Sequence, residues 1–245
     1  ALYVGLTTGF CGSLTTFSSW STSAAVLFAR GAPALGVACM LSGLFATLSA
    51  IIIGHRVGGL LLGRCQGGPG DDRMSLAHPE APAPTRQMTA HPRYHSYQLH
   101  WIAVCAVVLV GASAAALAAS LASGDVSSAM LPLALLLAPL GATLRYCLAS
   151  YNRSCPSFPA FTLACNAIGT AITSRGAATA GVATPASRLL LSSFALGFAG
   201  SLSTVSTFMN ECRLLPAPKA AVYAASTLAA GQLVALVAFR TIRQG

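Results

Sequence analysis

The chain has 245 residues, of which 55% are hydrophobic and 8% charged, and its mean hydropathy is +0.69. A soluble domain carries about 25% charged residues, so this chain has too few charges to cover a surface in water, which excludes an ordinary water-soluble globular fold. The formal net charge of +9 does not point to nucleic acid, because the arginines stand singly at the ends of apolar runs, as interfacial anchors do, and form no basic face.

Apolar runs long enough to cross a bilayer fall near 2–28, 35–54, 99–120, 130–150, 158–174, 188–210 and 219–240, which predicts an all-α membrane protein of seven spans. The first run opens at the first residue, without an initiator Met or a charged leader, so the chain is expected to be a fragment. Residues 55–98 carry Gly67, Gly68, Pro69, Gly70, Pro79, Pro82, Pro84 and Pro92 without apolar periodicity, the pattern of a mobile extramembrane connector. His55, His78, His91, His95 and His100 lie in it or at its membrane edge; with no fixed ligand spacing they read as solvated loop residues in preference to a metal site. Cys39, Cys105, Cys147 and Cys165 sit within apolar runs and read as small packing residues.

From Trp101, a belt residue, to Ser120 the third run holds no acidic, basic or His residue, so it reads as a spacer helix. Arg145, near the end of the fourth run, is either a snorkelling anchor or a partner for backbone carbonyls.

The informative feature is a repeat. Residues 9–20 read G-F-C-G-S-L-T-T-F-S-S-W and residues 197–208 read G-F-A-G-S-L-S-T-V-S-T-F, aligned without a gap. One Gly-x-x-Gly copy can be a packing motif between helices; two matched copies point further. They lie in the first and sixth runs, an odd number of crossings apart, so they traverse the membrane in opposite directions as an inverted-topology repeat. The spacer helix supplies the parity. Gly12 with Ser13 and Gly200 with Ser201 are the expected helix breaks, where freed carbonyls can hold a buried Na⁺.

Thr15, Thr16, Ser18, Ser203, Thr204, Ser206 and Thr207 offer hydroxyl donors, and Asn166, alone in L-A-C-N-A-I-G-T-A, offers an amide. Asn166 is either a donor to a small anion or one end of an interhelical hydrogen bond. Phe17, Phe198 and Phe208 present rings whose electropositive edges suit an anion, or they simply pack.

The signature at 9–17, G-F-C-G-S-L-T-T-F, closely resembles the third-helix motif of the fluoride channel family known as Fluc, CrcB or FEX. P-L-G-A-T-L-R-Y at 139–146 looks like the family's first helix, F-P-A-F-T-L-A-C-N-A-I-G-T at 158–170 its second, 188–211 its third and 219–240 its fourth. The resemblance implies a fused two-half arrangement similar to eukaryotic members, in effect a single-chain pseudo-dimer. Residues 1–54 would be the third and fourth helices of a truncated first half, 55–98 the connector, 99–120 the inverting spacer helix and 130–245 a complete second half of four helices. It further implies passive fluoride export, no catalysis, and a central structural Na⁺ on backbone carbonyls of Gly12, Ser13, Thr15, Gly200, Ser201 and Ser203.

In the family each pore takes one phenylalanine from each half. Here those positions read Phe17 and Trp20 in the first copy but Val205 and Phe208 in the second. Crosswise pairing leaves one pore with Phe17 and Phe208, served by Asn166, Thr16, Thr204, Ser206, Thr207, Tyr223 and Thr227, and a degenerate pore with Trp20 and Val205. The partners implied are fluoride and the lipid bilayer, and the location a plasma membrane crossed several times, with the connector on the cytoplasmic side by its excess of Lys and Arg. The main rival is an inverted-repeat secondary transporter of a small ion, against which the runs offer no carboxylate apart from Glu211 at a helix end. An intramembrane enzyme finds no Asp within any run, and no His apart from His100 at a membrane edge, to activate Ser13 or Ser201.

Overall fold

The computed structural model describes residues 16–66, 92–152, 157–179, 181 and 183–243, and the described residues form helices and short connections. In chain order the elements are α1 (Phe17–Ala29), α2 (Pro33–Gln66), α3 (Pro92–Ala122), α4 (Met130–Tyr151), α5 (Ala160–Thr179), α6 (Pro185–Phe194), a π-helical segment (Ala195–Ala199), a helical turn (Gly200–Leu202), α7 (Val205–Leu214) and α8 (Ala217–Arg243). Five stretches among them are long and apolar enough to cross a membrane, namely Pro33–Gly54, Val104–Ala122, Met130–Tyr151, Pro185–Leu214 and Ala217–Arg240. The protein is therefore an all-α, multi-pass membrane protein.

Local sequence sets the ends of these helices. At Arg30-Gly31-Ala32-Pro33, Gly31 takes φ +77° and Ala32 N–H reaches back to Leu27 C=O at 3.0 Å, a Schellman closure of α1, and Pro33 opens α2 where its missing N–H costs nothing. Between α3 and α4, Asp125 Oδ1 accepts from Ser127 N–H (3.0 Å), Ser127 Oγ (2.6 Å) and Ser128 N–H (3.3 Å). These bonds, that from the Ser127 side chain foremost, hold the Asp125 carboxyl below its ordinary range. Thr184 caps α6 by accepting from Ser187 N–H at 3.2 Å, with Pro185 at the first turn.

Two helices differ from their sequence-derived limits. α2 continues to Gln66 and α3 begins at Pro92, so both ends of the expected 55–98 connector are helical, and its middle, 67–91, lies outside the described residues. The outer surfaces of α2 and α3 are bare of protein contact, with Leu35, Phe45, Ile53, Val107, Val108 and Leu109 all exposed, as lipid-facing residues are.

The second difference explains why α5 is absent from the apolar stretches. Its buried residues are Thr162, Cys165, Asn166, Gly169, Thr170 and Ser174, a stripe at spacings of three and four. Ile168 on its other side is exposed. α5 is thus a helix turned inside out, polar toward the protein and apolar toward lipid, and averaging along its length hides it.

Without water between helices, close contact and hydrogen bonds hold the bundle together. A side chain at Gly197 would collide with Ala134 C=O, and one at Gly141 with Phe198 C=O, so α4 and the π segment approach backbone to backbone. Ser201 Oγ then donates across that contact to Ala138 C=O at 2.7 Å, next to Pro139, which supplies no amide of its own.

Candidate functional site

The run at 188–210 is interrupted, as the repeat predicted, but not at Gly200 and Ser201. Gly200 is helical at φ −62°, ψ −42°, and the chain turns extended at Ser203 (φ −89°, ψ 149°) and Thr204 (φ −152°, ψ 130°) before α7 begins. The break is two to three residues later for a physical reason. Asn166 Oδ1 accepts from Thr204 N–H at 2.8 Å and Asn166 Nδ2 donates to Thr204 C=O at 3.3 Å, so the side chain of α5 takes both backbone groups of Thr204 as a paired strand would. Thr204 Oγ1 accepts from Thr207 N–H at 3.3 Å and caps α7. Ser201, the expected break, spends its hydroxyl on Ala138 and Gly197.

Because Thr204 N–H is given to Asn166, the carbonyl of Gly200 loses the donor that a continuing helix would bring it. With Ser201 and Leu202 it forms the C-terminal, electronegative end of a buried helix. That donor set suits a small hard cation. Gly12, Ser13 and Thr15, the opposing set, lie outside the described residues. No group of three His, Cys, Asp or Glu residues among the described residues is placed to hold a metal, so a cation here would depend on carbonyls.

Helix α1 seats against this break. Ser203 Oγ accepts from Ser18 N–H at 3.1 Å and donates to Ser18 Oγ at 2.9 Å. Further along α1, Thr22 Oγ1 and Ser174 Oγ share a bond of 2.8 Å, and Gln232 Nε2 donates to Ser21 C=O (3.2 Å) and Ser21 Oγ (3.0 Å). Thr16 is half-buried with its methyl toward Gly200.

The order of contacts along α5 gives directions. Thr162 meets Glu211, Asn166 meets Thr204, and Ser174 meets Thr22. From the break, α7 runs toward the start of α5 and α1 toward its end, so α1 and α7 leave one point in opposite directions.

At that point the rings of Phe17 and Phe208 stand edge to face, centroids 5.9 Å apart, and Phe208 leads on to Tyr223 (5.5 Å) and Tyr223 to Phe158 (5.4 Å). Phe17, Phe208, Tyr223, Asn166, Thr204 and Thr227 are each at most 1% exposed. The structure therefore brings these six sequence-selected residues into one buried region, with Ser206 and Thr207 half-buried at its side. Val205 is buried in the same cluster. Trp20 stands at 5.5 Å on the other edge of Phe17, its Nε1–H donating to Cys39 C=O at 2.9 Å, with its indole in the space left by Gly43. Arg145 is 7% exposed inside the bundle and so is no snorkelling anchor.

Sequence reading missed a polar cluster at the far end of α7. Tyr223 donates to Glu211 Oε2 at 2.6 Å, Thr162 Oγ1 to Oε1 at 2.7 Å, and Asn152 Nδ2 to Thr162 Oγ1 at 2.8 Å. The signal was present. Glu211 stands one helical turn after Phe208 and is the one acidic residue in the apolar runs. The donation to Glu211 also commits the Tyr223 hydroxyl proton, so Tyr223 offers the region its ring.

Helices of bilayer length surround a buried, hydroxyl-lined seam with a broken helix at its centre. Residues 132–239 match the family described as CrcB-like protein, Camphor Resistance (CrcB). Neither the curated proteins nor the solved structures gave a match.

Proposed function

We propose that the protein is a fluoride-selective channel that exports fluoride passively, along the seam where α1 meets the CrcB-like unit. The observation that carries this reading is the meeting of Phe17 and Phe208, from the two copies of the repeat, beside a helix break pinned by Asn166. A fluoride ion sheds strongly held water only where donors replace it. Thr204, Ser206, Thr207 and Thr227 supply hydroxyls, the second Nδ2 hydrogen of Asn166 supplies another donor, and the ring edges of Phe17, Phe208 and Tyr223 carry partial positive charge. Larger halides would have to part the two rings.

In this reading the two copies form an inverted-topology repeat, supported by the opposite courses of α1 and α7 along α5. A central Na⁺ would be held by carbonyls of Gly200, Ser201 and Ser203 together with Gly12, Ser13 and Thr15, fixing the breaks without taking part in conduction. In this reading Trp20, seated on Cys39 and Gly43, and Val205 mark a second, degenerate route, leaving one pore in a single-chain pseudo-dimer. The test compares fluoride efflux from liposomes for Phe17→Ile and Phe208→Ile with Val205→Ala and Trp20→Leu. The first pair should slow efflux at least tenfold and the second pair little; equal sensitivity at all four positions refutes a single pore.

A second reading, a secondary transporter of a small ion, is favoured by the Glu211 cluster, since a buried carboxylate with hydroxyl partners can carry a proton. It requires fluoride flux to follow an imposed proton gradient, whereas the channel requires it to follow the fluoride gradient and voltage alone.

A further inference from the structure

A cavity of about 800 Å³ opens where the C-terminal ends of α1, α5 and α8 come together. Its lining is apolar along Val26, Phe28, Leu236 and Phe239 and carries two cations, Arg30 and Arg240, with no acidic residue among the described residues that line it. We propose that it binds one anionic phospholipid, the phosphate between Arg30 and Arg240 and the glycerol and upper acyl carbons along the four apolar residues.

Location is the first argument. Arg30 follows the last residue of α1 and Arg240 ends the apolar stretch of α8, so both guanidinium groups stand at the depth where a bilayer changes from chains to headgroups. The second is charge: two exposed arginines directed at one space repel each other unless an anion lies between them. Guanidinium forks match phosphate oxygens in pairs. The third is volume, which lies in the roughly 300–1,000 Å³ range of organic-ligand sites and is far larger than a monoatomic ion fills. Basic recesses between membrane helices are recognised sites for anionic headgroups. The proposal is independent of fluoride conduction, since no residue of the Phe17 and Phe208 region lines the cavity.

The test is native mass spectrometry of the purified full chain from micelles doped with dioleoylphosphatidylglycerol or dioleoylphosphatidylcholine. The expected result is retention of one phosphatidylglycerol in preference to phosphatidylcholine, weakened roughly 30-fold in the double variant Arg30→Gln, Arg240→Gln, from the attraction of a headgroup to two surface arginines. Leu236→Trp, which fills the apolar floor and leaves both arginines, should also lose the lipid. Arg30→Lys with Arg240→Lys should retain part of it, which separates lost charge from lost fold. Equal retention of both lipids, or undiminished retention in the Gln double variant, overturns the proposal. Displacement of phosphatidylglycerol by millimolar inorganic phosphate with Leu236→Trp still binding also overturns it, by showing a site for free anions.

Discussion

Replacing Asn166 by Leu tests the link between α5 and the helix break. The substitution keeps the volume but removes the acceptor for Thr204 N–H and the donor for Thr204 C=O, both where no solvent reaches. Stranding a buried polar group costs roughly 1–3 kcal/mol, so the two together set an upper bound of about 6 kcal/mol. Hydrogen bonds measured between membrane helices average only about 0.6 kcal/mol, which sets a floor of about 1 kcal/mol. The amide bond at 2.8 Å is well formed and the carbonyl bond at 3.3 Å is long, so most of the loss comes from the amide. About 2 kcal/mol is expected, a shift of roughly 30-fold in the folding equilibrium. Reversible unfolding in bicelles reads the stability and liposome efflux the conduction, and both should fall together. A variant with wild-type stability and wild-type efflux would refute the role given to Asn166.

Three further outcomes follow from contacts around the site. A Cβ at Gly231 would come within 2.7 Å of Phe17 Cε1 and 2.9 Å of Ser21 Oγ, so Gly231→Ala should displace Phe17 and cut fluoride efflux; Gly43→Ala, which collides with the Trp20 indole in the proposed degenerate route, should lower the melting temperature but leave efflux unchanged. Glu211→Ala removes the acceptor of Tyr223 and Thr162 and should destabilise by about 1–3 kcal/mol in the same unfolding assay, whereas Glu211→Gln keeps an acceptor and should lose less than half of that. Thr204→Val removes the cap of α7 and should cost about 1 kcal/mol, with an increase in amide exchange at Val205 to Thr207 as its local signature.

The membrane character was fully legible, because 8% charge leaves no other class. The repeat was legible as matched letters and singled out Phe17 and Phe208, whose rings meet, but Trp20 and Val205, expected apart from them, pack in or against the same buried cluster. The position of the break was not. Glycine propensity pointed to Gly200, but the outcome was set by Asn166, which lies 38 residues before Thr204 in the chain and competes for its backbone. Glu211 was discounted as a helix-end residue, since nothing local announces Tyr223, 12 residues on, as its donor. The hydroxyl pairs Ser18 with Ser203 and Thr22 with Ser174 span 185 and 152 residues, and such contacts belong to the packed fold alone.

The central claim, selective fluoride passage, is tested most directly by an ion electrode following efflux from liposomes that contain the purified protein. Fluoride should leave rapidly down its gradient once a potassium ionophore clamps the voltage, with chloride held back by orders of magnitude. Chloride efflux at the rate of fluoride, or no fluoride efflux from vesicles shown to contain folded protein, would contradict the account.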